Sequence, residues 1–118
     1  MKNKPFFERL AHALAGVISA WKSEASFRFQ CITFVAALSL FAWLDPQPVW
    51  WLVFIGVSGL VLVTELLNTA LEHVIDCLHP EYHPLMKIAK DCAAGAVLIA
   101  SVTALLVFAC FLVEHVSV

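Results

Sequence analysis

Three stretches free of charged side chains, Phe29–Leu44, Pro46–Thr64 and Cys92–Val113, constrain this chain more than any other feature. Each approaches the roughly 20 residues that an α-helix needs to cross a 30 Å hydrocarbon core. Lipid offers no hydrogen bonds to backbone groups, so runs of this length and apolarity are expected to be helical. The sequence therefore reads as an all-α integral membrane protein with three transmembrane helices. Its 62% hydrophobic content and mean hydropathy of +0.89 agree, since soluble domains are far less apolar. A length of 118 residues suits a single domain over 1–118. The first stretch is short and extends back through Ser26, with Arg28 snorkelling to the headgroups. The spans are placed at about 27–44, 49–78 and 91–114.

The seven basic residues, Lys2, Lys4, Arg9, Lys22, Arg28, Lys87 and Lys90, all lie in the N-terminal segment up to the start of the first span or between the second and third. By the positive-inside rule both regions face the cytoplasm. The other connection, Asp45-Pro46-Gln47-Pro48, has no basic residue and is flanked by Trp43, Trp50 and Trp51, which suits a turn at the outer interface. The N-terminus is then cytoplasmic and the C-terminus outside. A net charge of −2 and the absence of a basic run argue against nucleic acid as a partner. Ala13-Leu14-Ala15 imitates a signal-peptide cleavage site, but Glu8, Arg9 and His12 interrupt the apolar region such a peptide requires. Cys31, Cys77, Cys92 and Cys110 form no Cys-x-x-Cys pair and read as reduced, small, buried residues. Cys77, His79 and His83 do not have the spacing of a zinc site.

Before the first span, Phe7, Leu10, Leu14, Val17, Ile18 and Trp21 recur at helical spacing, and Glu8, Arg9, His12, Ser19 and Lys22 take other faces. The pattern predicts an amphipathic helix over about 5–22 that rests on the inner leaflet or packs against neighbouring helices. The third span carries Ala93, Ala94, Gly95, Ala96, Ala100 and Ala104, a small-residue face for helix packing.

The second span has no helix breaker between Val49 and Leu78, so its helix must project beyond the bilayer. Glu65, Asn68, Glu72 and Asp76 lie on it at offsets that bring them within about 80° of one another, a single stripe. A carboxylate at bilayer depth costs about 2.5 to 3.5 kcal/mol, so a series of them points to use. Glu65 falls just inside the inner leaflet, and Glu72 and Asp76 fall in the aqueous extension. Such a stripe bridges a lipid headgroup and a water-soluble reactant. Phosphoryl transfer from ATP to a lipid alcohol needs those parts: carboxylates to hold Mg²⁺, a base near the hydroxyl and a cation on the phosphate. Glu24, Glu72, Glu65 and Lys90 are candidates for them. None of the four glycines begins a G-x-x-x-x-G-K-[ST] loop, so a nucleotide must be held without one.

The run Glu65-Leu-Leu-Asn68-Thr-Ala-Leu-Glu72-His-Val-Ile-Asp76 resembles the signature of the small prokaryotic diacylglycerol kinase and undecaprenol kinase family. Glu24-Ala-Ser-Phe27-Arg28, Glu81-Tyr82-His83-Pro84 and Lys90-Asp91-Cys-Ala-Ala-Gly95-Ala-Val resemble it too, so the likeness covers nearly the entire chain. The resemblance implies a homotrimer that phosphorylates a membrane lipid using ATP and Mg²⁺ at sites on subunit boundaries. It implies that Glu65 is the general base, that Glu24 and Glu72 are metal ligands, and that Asn68 and Asp76 support the stripe. Glu81, Tyr82, His83, Lys90 and Asp91 would contact nucleotide, with His12 on the surface helix as a further contact. The run through His73 and the stretch from Asp91 to Val97 look more like the undecaprenol kinases. Ala94 and Gln30 depart from the enteric diacylglycerol kinases, which carry a serine and an acidic residue there. Undecaprenol is therefore the favoured substrate, and diacylglycerol is the alternative.

Each role has a plainer rival. Glu65 has the alternative of a buried neutral acid bonded to Asn68 or to a neighbouring helix, and Glu72 and Asp76 that of a solvated helix face. Lys90 marks the end of a span, and Tyr82 and His83 anchor a loop. A stripe of acids also suits a non-enzymatic oligomer with an ion or proton path.

Overall fold

A computed structural model describes residues 3–116, so Lys2 lies outside the described residues. Four helices follow one another: α1 Phe6–Ser23, α2 Ala25–Leu44, α3 Pro48–Leu78 and α4 Pro84–Val116. The last three are long and apolar enough to cross a membrane. At 1.5 Å per residue, α3 and α4 measure about 46 and 50 Å, well beyond a 30 Å core. Both therefore extend past the apolar zone. For α4 this differs from the expected start near position 91, because the helix begins at Pro84. Proline at the first helical position loses no intrahelical bond. The preceding His83 completes the start: its carbonyl accepts from Lys87 N–H at 3.0 Å and its Nδ1 accepts from Leu85 N–H at 3.1 Å. A histidine thus does the capping usually done by Ser, Thr, Asp or Asn.

The other joints are equally short. Between α1 and α2 only Glu24 leaves the helical conformation, at φ −117° and ψ 109°. Its N–H donates to Ala20 O at 2.8 Å and its carbonyl accepts from Arg28 N–H at 3.1 Å, so one residue closes one helix and opens the next. Arg28 braces the joint. Its Nη1 donates to the carbonyls of Trp21 at 2.7 Å and Lys22 at 3.1 Å, which α1 leaves without intrahelical partners. Between α2 and α3, Asp45 adopts a left-handed conformation at φ 49° and ψ 61° and donates its N–H to Phe41 O at 2.8 Å. Pro48 then opens α3.

Near this turn the three spans meet in an aromatic core. Phe41 of α2 stacks on Phe54 of α3 at 4.5 Å and on Phe111 of α4 at 4.3 Å between ring centroids. Such pairs contribute about 0.5–1.5 kcal/mol each beyond the area they cover. Trp50, Trp51 and Phe108 pack around them. Toward the other end α2 and α4 both lean on α3 and leave between them an apolar groove of about 580 Å³, lined by Phe29, Phe34, Val61, Ala104 and Phe108 among others.

Three spans cannot cover one another on every side, and this corrects two expectations. Cys31 is half-buried, but Cys77, Cys92 and Cys110 are exposed on the single chain, and all four are free. On α4, Ala100 is buried and Ala93 and Ala104 are half-buried, whereas Ala94 and Ala96 face outward. A Cβ added at Gly95 would meet nothing within 4 Å. The inward small residues follow the seam with α3, and the rest do not serve packing within the chain.

Candidate active site

The inward face of α3 carries the polar stripe away from the aromatic core. Glu65 is 3% exposed and accepts a hydrogen bond at Oε1 from Ser26 Oγ in the first turn of α2, 2.7 Å away. Among the described residues this is the only hydrogen bond to that carboxylate. A charge so placed is costly to bury without partners, which sets Glu65 apart from the ordinary acids of the chain. One turn on, Asn68 Nδ2 donates to Glu72 Oε1 at 3.2 Å. Among the described residues the Asn68 Oδ1 is buried without a partner. Asn68 therefore pairs with Glu72 rather than with Glu65.

Glu24 reaches α3 from the α1–α2 joint. Its side chain is 29% exposed, and its Oε1 lies 3.9 Å from Nε2 of His73 on α3. The joint and the first turn of α2 thus present two side chains to α3, Glu24 toward His73 and Ser26 toward Glu65. Further out, exposed Asp76 accepts a hydrogen bond from Lys90 Nζ of α4 at 2.5 Å.

The remaining candidates are more dispersed. Asp91 is held by Lys87 at 2.6 Å, one turn away along α4. Tyr82 is exposed and Glu81 contributes a carbonyl 2.9 Å from His79 Nδ1. The His83 ring lies edge-on to His79 at 5.2 Å while its Nδ1 caps α4. Among the described residues His12 approaches only Glu8, at 4.0 Å, on its own helix, and no contact brings it to the stripe. Ser26, Arg28 and His73 are the residues whose contacts the sequence did not foretell. The available signal was their position, two and four residues after Glu24 and one after Glu72.

Among the described residues no three His, Cys, Asp or Glu side chains converge as a ready metal cage. Mg²⁺ does not need one, because it binds through one or two carboxylates together with phosphate oxygens and water. Glu24 and Glu72, with the unpartnered Oδ1 of Asn68 beside Glu72, are hard oxygen donors of the kind it takes. The donor set fits the ion.

Fold and site define a small helical membrane protein whose acidic residues gather where its helices leave the apolar zone. A family model described as prokaryotic diacylglycerol kinase matches residues 11–112. The diacylglycerol kinase of Synechocystis sp. is 44% identical over 86% of this chain and 58% of its own length. The diacylglycerol kinase of Escherichia coli strain K12 is 36% identical over 85% of this chain and 82% of its own. The undecaprenol kinase of Bacillus subtilis strain 168 is 35% identical over 82% of this chain and 79% of its own. The chain belongs to the prokaryotic diacylglycerol kinase family, a family of lipid kinases.

Proposed function

We propose that this protein transfers the γ-phosphoryl group of ATP to the hydroxyl of a membrane lipid, undecaprenol in the first instance, as one domain over 1–118. The observation that carries the reading is the Glu65 carboxylate, buried on an apolar helix with Oε1 occupied by Ser26 and no hydrogen bond to Oε2 among the described residues. A lipid alcohol donating to Oε2 gives up its proton there as its oxygen bonds to the γ-phosphorus. The bond from that phosphorus to the β–γ bridging oxygen breaks, and ADP leaves. Mg²⁺, when bound, neutralises charge on the phosphates. Glu24 and Glu72 would hold it, with Asn68 fixing the rotamer of Glu72. Lys90 lies across from Asp76, which keeps its ammonium at the α3–α4 seam for the transferred group.

In this reading Glu81, Tyr82, His83 and Asp91 contact nucleotide beside Lys90, and His12 joins them from α1. His83 has only its Nε2 left for that purpose, since Nδ1 caps α4. The exposed apolar side chains of α1, Phe7, Leu10, Leu14 and Trp21 among them, rest on the inner leaflet. The apolar faces left open on the spans pack against two further copies in a homotrimer. The site lies on the cytoplasmic side of a bacterial inner membrane, with the C-terminus outside.

Undecaprenol is favoured by the run through His73, whose imidazole stands beside Glu24. Diacylglycerol is the second reading, supported by the 44% identity with the Synechocystis enzyme of that name. Both lipids in one micelle, offered with Mg²⁺ and labelled ATP, decide between them. Preferential labelling of undecaprenol is expected, and equal turnover would overturn the preference. Glu65→Gln should label neither lipid; full labelling by that variant refutes Glu65 as the base.

A further inference from the structure

We infer that Ser26 is a positioning residue for the phosphoryl transfer, holding the Glu65 carboxylate so that Oε2 is the oxygen presented to the lipid hydroxyl. The inference rests on the reading of Glu65 as the base. Glu65 has three rotatable side-chain bonds, and the Ser26 hydroxyl is its only hydrogen-bond partner among the described residues. The 2.7 Å bond from Oγ to Oε1 fixes the last of those torsions and engages one of the two oxygens.

Ser26 can do this because it is itself held. It lies in the first turn of α2, two residues from the extended Glu24, in a joint that Arg28 ties to the carbonyls of Trp21 and Lys22. The hydroxyls of Thr33 and Ser39 further along α2 donate to carbonyls four residues earlier on the same helix, and that of Ser26 does not. It crosses to α3 instead. The joint therefore sets Glu24 and the orientation of Glu65 together, and a hydroxyl at position 26 couples the metal-binding acid to the base.

The test is lipid phosphorylation by purified full-length protein carrying Ser26→Ala, Ser26→Thr or Glu65→Gln, with ATP and lipid varied separately. Ser26→Ala should lower kcat by about tenfold or more while KM for ATP and for lipid stays within about twofold, because a hydrogen bond to a charged group is lost from the catalytic step. Ser26→Thr keeps the hydroxyl and should restore most of kcat. A Ser26→Ala enzyme with wild-type kcat overturns the assignment. So does a Ser26→Thr enzyme as slow as Ser26→Ala, since shape rather than the hydroxyl would then matter. Elution volume in detergent and thermal midpoint should be the same in all variants, and a kcat loss that tracks a lowered midpoint also overturns it. The base reading fails separately, and only if Glu65→Gln turns over lipid at the wild-type rate.

Discussion

Lys90 Nζ on α4 lies 2.5 Å from Asp76 Oδ1 on α3, and this contact joins the two longest helices beyond the aromatic core. Both side chains keep much of their exposure, 39% and 61%. A pair so open to water contributes less than about 1 kcal/mol. Its value is positional. Lys90→Ala should lower kcat by about a hundredfold, the usual cost of removing one charge-stabilising donor, and leave the thermal midpoint nearly unchanged. Steady-state kinetics beside a melting curve separates the two effects; unchanged turnover would reduce Lys90 to a marker of the span end.

Glu24 at the α1–α2 joint and Glu72 on α3 are the proposed holders of Mg²⁺, so their removal should act on the metal before it acts on the fold. Glu72→Gln and Glu24→Gln are each expected to raise the Mg²⁺ concentration for half-maximal activity by at least about tenfold. A Mg²⁺ titration at saturating ATP reads this directly. The same half-saturation in variant and parent would place the metal elsewhere.

Phe111 is fully buried and its ring meets Phe41, Trp50 and His115. Phe111→Ala removes a ring by which α4 packs into the aromatic core and should destabilise the fold by about 3 kcal/mol. Denaturant unfolding in detergent measures the loss. The folded fraction should retain its specific activity, since these rings stand apart from the polar stripe.

At Asp45 the backbone holds φ 49°, a region that costs most residues about 1–2 kcal/mol and glycine almost nothing. Asp45→Gly should therefore leave stability equal or slightly raised, and Asp45→Ala should lower it by up to about 1 kcal/mol. Paired thermal melts suffice to check the order.

The spans and the stripe were legible because each follows from one strong physical rule. Apolar length reports a membrane helix, and a 100° step puts Glu65, Asn68 and Glu72 on one face of α3. The early start of α4 was hidden because its cap is a histidine, outside the residue types that usually signal a helix start. The partners of Glu65 and Glu24 were hidden for another reason. Ser26 meets Glu65 across 39 positions of sequence, and His73 meets Glu24 in the same way, through the angle of a joint that no periodicity encodes. Asp76 and Lys90 are both candidates by sequence, but their contact depends on α4 continuing past the membrane-spanning length.

Glu24 is the single residue that keeps Phe6–Leu44 from being one continuous helix. That economy makes the segment from Trp21 to Arg28 intolerant of changes in length. One residue inserted between Glu24 and Ser26 would turn every later side chain of α2 by about 100° relative to the corner and carry the hydroxyl away from Glu65. One residue deleted would do the same in the other sense. Point substitutions elsewhere on α2 leave this geometry in place, while the spacing of the corner itself is fixed to the residue.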